Sequence, residues 1–198
     1  MIGLRQGGRA TRLEERFMSV GQRRATLEDL YKEPGKAELI GGRIVHYMAT
    51  GYKPHRVASR IFRSLHDYAT RTGIGDAFTD NMGFAVKELI SGRESFSPDS
   101  AYYSGPLPAN LMRFIERPPD FAVEVRSEND DETEMADKRA DYFEAGTKVV
   151  WDVDPVAERI HKYQSTDPTQ PVTYERGQTA DAEPAVPGWK VDVDWIFS

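Results

Sequence analysis

The chain has 198 residues and a mass of 22.4 kDa, enough for one domain with a buried core. It contains no cysteine, which excludes disulfides and thiolate metal sites and argues against zinc. A net charge of −6 excludes a generally basic, nucleic-acid-coating surface.

The charge is uneven along the chain. Residues 1–24 carry six arginines against Glu14 and Glu15, a net +4, so the remainder carries −10. This stretch has little hydrophobic period and reads as a flexible Arg/Gly-rich tail. A basic arm for nucleic acid and a translation start at Met18 are the alternatives. No apolar core follows the arginines as a secretory signal requires, and no run is long enough to span a membrane, so a cytoplasmic protein is expected.

Residues 25–198 read as a single α/β domain, with a mixed central sheet and flanking helices. Thr26 and Asp29 predict a short capped helix that ends at Pro34-Gly35. Residues 37–40 and 43–48 predict two strands joined by Gly41-Gly42, a strong hairpin signal. Val57, Ile61, Leu65 and Tyr68 fall at helical spacing between Pro54 and Gly73, with Arg56, Arg60, Arg63 and Arg71 on the other side. The four histidines are scattered and read as packing or surface residues. Residues 84–89 alternate like a strand, residues 91–94 turn it, and residues 95–103 return with Pro98-Asp99, where Pro98 marks an edge or bend. Residues 104–118 read as a loop with a short helical piece at 111–115.

Residues 120–125 alternate Asp120, Ala122 and Glu124 with Phe121, Val123 and Val125, the period of a strand. Two carboxylates thus share one face of an apolar strand, and burying unpaired carboxylates is costly. With Asp99 as a third acid, the pattern points to a bound cation with oxygen ligands. A helix follows from Asp131 to Gly146, with Asp131, Met135, Lys138, Tyr142 and Ala145 on one stripe. Lys138 either faces the acidic strand or pairs with Glu134 on the surface. Glu38, at the start of the first hairpin, reads as an edge-strand charge facing water. Strands at 148–153 and 159–163 follow, and residues 172–174 and 191–197 read as small strands or a docking tail.

Pro98-Asp99, then Asp120-Phe121-Ala122-Val123-Glu124-Val125, then Asp137-Lys138 and Tyr142-Phe143-Glu144-Ala145-Gly146 resemble the Uma-two family. These are restriction-endonuclease-like proteins within the PD-(D/E)XK nuclease superfamily. The likeness also takes in Glu38-Leu39-Ile40-Gly41-Gly42, Pro54-His55 and Trp151-Asp152-Val153-Asp154-Pro155, and covers residues 25–165. It implies a restriction-endonuclease-like core and a metal-dependent endonuclease that hydrolyses DNA phosphodiesters. Asp99 and Glu124, with the Val125 carbonyl, would hold Mg²⁺ or Mn²⁺. Lys138 would orient or deprotonate the attacking water, or steady charge on the phosphate. Glu38 and Asp120 would support the site.

One departure stands out. The superfamily places lysine two residues after the acid, and here that residue is Arg126, which stays protonated and would clamp phosphate instead. The following helix would supply the lysine. An acidic body suits a nuclease that draws DNA affinity from a protein partner, and a homodimer would suit cutting both strands. The alternative is a non-catalytic binding or regulatory module that keeps the nuclease-like fold.

Overall fold

The computed structural model describes residues 23–128 and 131–198. The tail expected at residues 1–24 lies outside the described residues except for Arg23 and Arg24, as do the start-site question at Met18 and the basic arm. Arg23 pairs with Asp29 and Arg24 with Glu88.

In chain order, a short helix α1 (Leu27–Leu30) precedes the hairpin β1 (Ala37–Ile40) and β2 (Arg43–His46). The long helix α2 (Tyr52–Thr72) and strand β3 (Asp76–Thr79) come next, then the two-residue strands β4 (Phe84–Ala85) and β5 (Ser95–Phe96). The core continues with β6 (Ser100–Tyr103), β7 (Phe121–Val125), helix α3 (Glu132–Ala145), β8 (Val149–Asp154), β9 (Arg159–Gln164) and β10 (Asp167–Tyr174). A hairpin of β11 (Thr179–Asp181) and β12 (Lys190–Asp192) and the helix α4 (Val193–Phe197) close the chain.

A mixed sheet of six strands runs in the order β10-β9-β8-β7-β6-β3. Its one parallel pair is β7 with β8, the two strands joined through α3. Period-two alternation sends Phe121, Val123, Trp151 and Val153 to one face. There they meet Val57, Ile61 and Leu65 of α2, with Trp189 and Ile196 from the C-terminal segment. Ala101, Tyr103, Ala122 and Val150 point the other way and pack with Phe84, Phe96, Ile115 and Tyr142 of α3. The sheet is therefore covered on both faces, as a strand apolar on nearly every position requires.

Local chemistry explains the element ends. Thr26 and Asp29 form a reciprocal capping box on α1, and the Asp131 carboxylate accepts from the Thr133 N–H at the start of α3. Gly41 and Gly42 take φ of 60° and 70°, the left-handed pair that a two-residue hairpin turn needs.

Four expectations need correction. The strand expected at 84–89 is paired only over Phe84–Ala85, although Val86 N–H still donates to Glu94 O and Leu89 N–H to Arg93 O. The return strand expected at 95–103 breaks at Ser97-Pro98-Asp99, so β5 pairs with β4 while β6 joins the large sheet. Pro98 has no N–H to continue a ladder, which suits this switch. Residues 111–115 form turns, not a helix, and Ile115 bridges to Phe84. The alternation at 191–197 becomes a helix after Asp192, whose carboxylate accepts from the N–H groups of Asp194 and Trp195.

Candidate active site

The C-terminal end of β7, the first residues of the β1–β2 hairpin, the Ser97-Pro98-Asp99 link and the middle of α3 meet at one place. Glu124 is buried there on the α3 side of the sheet. Lys138 Nζ, from α3, stands 2.8 Å from Glu124 Oε1 and 3.7 Å from Glu38 Oε1. The Tyr142 hydroxyl, one turn further along α3, donates to Glu124 Oε1 at 2.6 Å. Asp99 Oδ2 accepts from the Val125 N–H at 2.9 Å, which sets this carboxylate beside the residue that follows Glu124. The Asp99 N–H in turn donates to Val123 O, so Asp99 is pinned to β7 at both ends.

Glu38 is fully buried and held from four directions. The Ser97 N–H donates to Oε1 at 2.9 Å, the Tyr47 hydroxyl to Oε2 at 2.8 Å, Lys138 lies near Oε1, and Arg93 NH1 forms an ion pair with Oε2. Arg93 Nε is bound to Asp141 of α3 at 2.8 Å. Glu38 thus faces the interior and does not stand at an edge facing water. Lys138 likewise faces the acidic strand, and no ion pair with Glu134 forms among the described residues.

The electrostatics follow from this packing. Burial pulls the Lys138 ammonium toward neutrality, but Glu124 and Glu38 outweigh it and raise its pKa above the usual lysine value. Burial pushes Glu38 up, yet Lys138, Arg93 and the hydrogen bonds from Ser97 and Tyr47 hold it below the usual carboxylate range. Glu124 goes the other way, because burial and the nearby Asp99 charge overcome the help of Lys138 and Lys36. Burial and Glu38 push the Tyr47 phenol up to about 12, and burial with Glu124 drives Tyr142 well above its usual value.

Lys36 is a site residue that the sequence did not flag. Its Nζ lies 2.7 Å from Asp99 Oδ1 and 2.7 Å from Asp80 Oδ1. Burial lowers its pKa, but the Asp99 and Glu124 charges raise it overall, so it too is held cationic. Arg93, Tyr47 and Tyr142 were missed as well. Arg93 sits in a Ser-Gly-Arg-Glu turn that reads as solvated, and Tyr142 on a helix stripe reads as core.

Two expected residues are placed elsewhere. Asp120 shares the Glu124 face of the strand but lies at its other end, about 13 Å away at about 3.3 Å per residue. There it accepts from the Ser104 N–H and hydroxyl and pairs with Lys148 Nζ at 2.7 Å. Arg126 lies past the end of β7 and binds Asp152 through Nε at 2.6 Å, with Glu132 on its NH2. Asp152 is the register partner of Glu124 on β8 and is fully buried, and Arg139 takes it from the other side. Arg126 is thus already committed to ion pairs with Asp152 and Glu132.

The donors can be tested against a divalent ion. Among the described residues, no group of three or more His, Cys, Asp or Glu is arranged to hold one. The three-acid cluster expected from Asp99, Asp120 and Glu124 therefore reduces to Asp99 and Glu124. Two carboxylates with a carbonyl nevertheless suit Mg²⁺, which keeps several waters and takes few protein ligands. Asp80, Asp99, Glu124, Glu38 and Asp141 against Lys36, Lys138 and Arg93 leave two negative charges when all are ionised. The buried hydroxyl of Ser97 also has no hydrogen-bond partner among the described residues, and such a group calls for a water or ligand. Asp99 and Glu124 are oxygen donors of the kind a hard divalent cation takes, each now paired to a lysine.

The sequence model of Uma2, the Uma-two family, described as "Putative restriction endonuclease", matches residues 24–194. The chain belongs to the Uma2 family. No curated protein matches the chain. Among solved structures, one similar in fold is described as a "putative nuclease belonging to DUF820 from Anabaena variabilis ATCC 29413", with 19% sequence identity and a TM-score of 0.70. The alignment covers 87% of this chain and 97% of that one, so the two share a fold over most of this chain. Among the described residues, no helix is long and apolar enough to cross a membrane.

Proposed function

We propose that this Uma2 protein is a Mg²⁺- or Mn²⁺-dependent endodeoxyribonuclease that hydrolyses DNA phosphodiesters. The observation that carries the reading is the meeting of Asp99 from the β5–β6 link, Glu124 of β7 and Lys138 of α3, with Lys138 2.8 Å from Glu124 and Asp99 bonded to the Val125 N–H. Asp99 and Glu124, with the Val125 carbonyl, would hold the ion, which supplies charge for polarising a phosphate oxygen.

The chain's own groups have distinct tasks. Lys138, ion-paired to Glu124 and near Glu38, would act as a fixed positive charge beside the phosphate. Tyr142 and Glu38 fix Lys138 and Glu124 in position, since each is hydrogen-bonded or ion-paired to one of them. Asp99 also borders a small recess walled by Thr50, Pro54, His55, Ala58 and Asp80. Pro54 and His55 of the first turn of α2 form part of this wall. DNA is the substrate in this reading. A homodimer would place one site on each strand, and a protein partner would offset the acidic body.

A second reading is a non-catalytic binding module with the same fold. Its support is that both Asp99 and Glu124 are already ion-paired to lysines. Incubation of supercoiled plasmid with the purified protein decides between them. The nuclease reading predicts nicked circles with Mg²⁺ or Mn²⁺, none with EDTA, and loss of cleavage in Asp99→Asn. Cleavage that ignores EDTA, or an Asp99→Asn protein as active as wild type, would contradict it.

A further inference from the structure

Lys36 reaches one of the two proposed ligands, its ammonium 2.7 Å from an oxygen of Asp99. Its side chain is 17% exposed, so solvent does not screen the contact fully. On the other side of the same ammonium, also at 2.7 Å, is Asp80, the more exposed acid at 39%. Asp80 belongs to a tight turn: its Oδ1 accepts from the Asn81 N–H, and Asn81 has a φ of 71°. Asp80 and Asp99 both wall the recess at the start of α2.

We propose that Lys36 is a tethered counter-ion that competes with a divalent cation for Asp99, and that Asp80 is the dock that receives the ammonium when the cation binds. The inference rests on the proposed function, because it needs a cation at Asp99 and Glu124. The reason is electrostatic. An ammonium at hydrogen-bond distance from that oxygen takes one of its lone-pair sites and repels a divalent ion placed beside it, so the two compete. The bound fraction of Lys36 therefore lowers apparent metal affinity, as any minority of competent molecules does. Asp80 reduces that loss by keeping the displaced charge paired. Without an ion, Lys36 would keep Asp99 paired beside the buried Glu124.

The test is Mn²⁺ binding followed by electron paramagnetic resonance, on the full chain without DNA, for wild type, Lys36→Met, Asp80→Asn and the double variant. Thermal melts confirm that each is folded. Lys36→Met should bind Mn²⁺ on the order of tenfold more tightly. Asp80→Asn should bind on the order of tenfold more weakly, because Lys36 is then left on Asp99. In the Lys36→Met background the same Asp80 change should matter by less than about twofold, a coupling that independent charges do not show.

Strictly additive effects of the two substitutions would overturn the proposal, since a general field would then account for both. Equal or weaker binding by Lys36→Met would overturn it too, while leaving the metal site standing. Binding by none of the four proteins would overturn the metal site itself and the competition with it.

Discussion

Lys138 is held between Glu124 at 2.8 Å and Glu38 at 3.7 Å, on a helix face where a hydrophobic residue would otherwise pack. Removing one member of such a group leaves a buried charge unpaired, which is strongly destabilising. The two acids respond to this setting with opposite signs. Glu38 is held below the usual range, so its stabilisation is complete above the unfolded value of about 4.3 and is lost as pH falls through its lower folded value. Glu124 is raised, so its contribution is complete below about 4.3 and declines as pH rises toward its folded value. Glu38→Gln should therefore melt below wild type near neutral pH, and the gap should narrow as pH drops below about 4.3. Melting curves between pH 3 and 7 check this. A gap independent of pH would mean that Glu38 is not bound as a carboxylate.

At the scale of elements, α3 decides whether the site exists, because it carries Lys138, Asp141 and Tyr142 together. The helix ends at Gly146 with φ of 109°, a conformation that costs a side-chain-bearing residue energy even where space is open. Gly146→Ala should lose about 1 kcal/mol or more in urea unfolding. Stability equal to wild type would show that the cap contributes little. The strongly patterned elements were legible beforehand: α2 from its helical spacing, α3 from its caps, β7 from its alternation and the first hairpin from Gly41-Gly42. The strand β3 was not, because Asp76–Thr79 is four residues of mixed character whose pairing comes entirely from β6. Asp120 misled because alternation gives the face of a strand but not the distance along it. Lys36, Arg93 and Tyr47 were invisible for a related reason. Lys36 and Arg93 find their partners in segments some fifty to sixty residues away, Asp99 for one and Glu38 and Asp141 for the other, and Tyr47 reaches Glu38 only across the folded hairpin.

At the scale of the molecule, two layers hold the end of β7 in place. On one face Phe121 stacks edge-on against Trp151 with ring centres 5.1 Å apart, and Trp189 closes over both. On the other, Tyr142 stacks on Phe96 at 4.2 Å while its hydroxyl reaches Glu124. A polar site at the edge of a rigid apolar core is the arrangement that preorganised charge requires. In the proposed nuclease reading, the acidic balance of the chain would make DNA affinity depend on an ion at the site and on basic surface supplied by a partner. The measurement that bears most directly on this account is the plasmid-nicking rate of Lys138→Met against wild type in Mg²⁺, both shown to be folded by circular dichroism. A fall on the order of a hundredfold or more is predicted, since a preorganised charge of this kind contributes about that much to rate. A Lys138→Met protein that nicks plasmid at the wild-type rate would contradict the account.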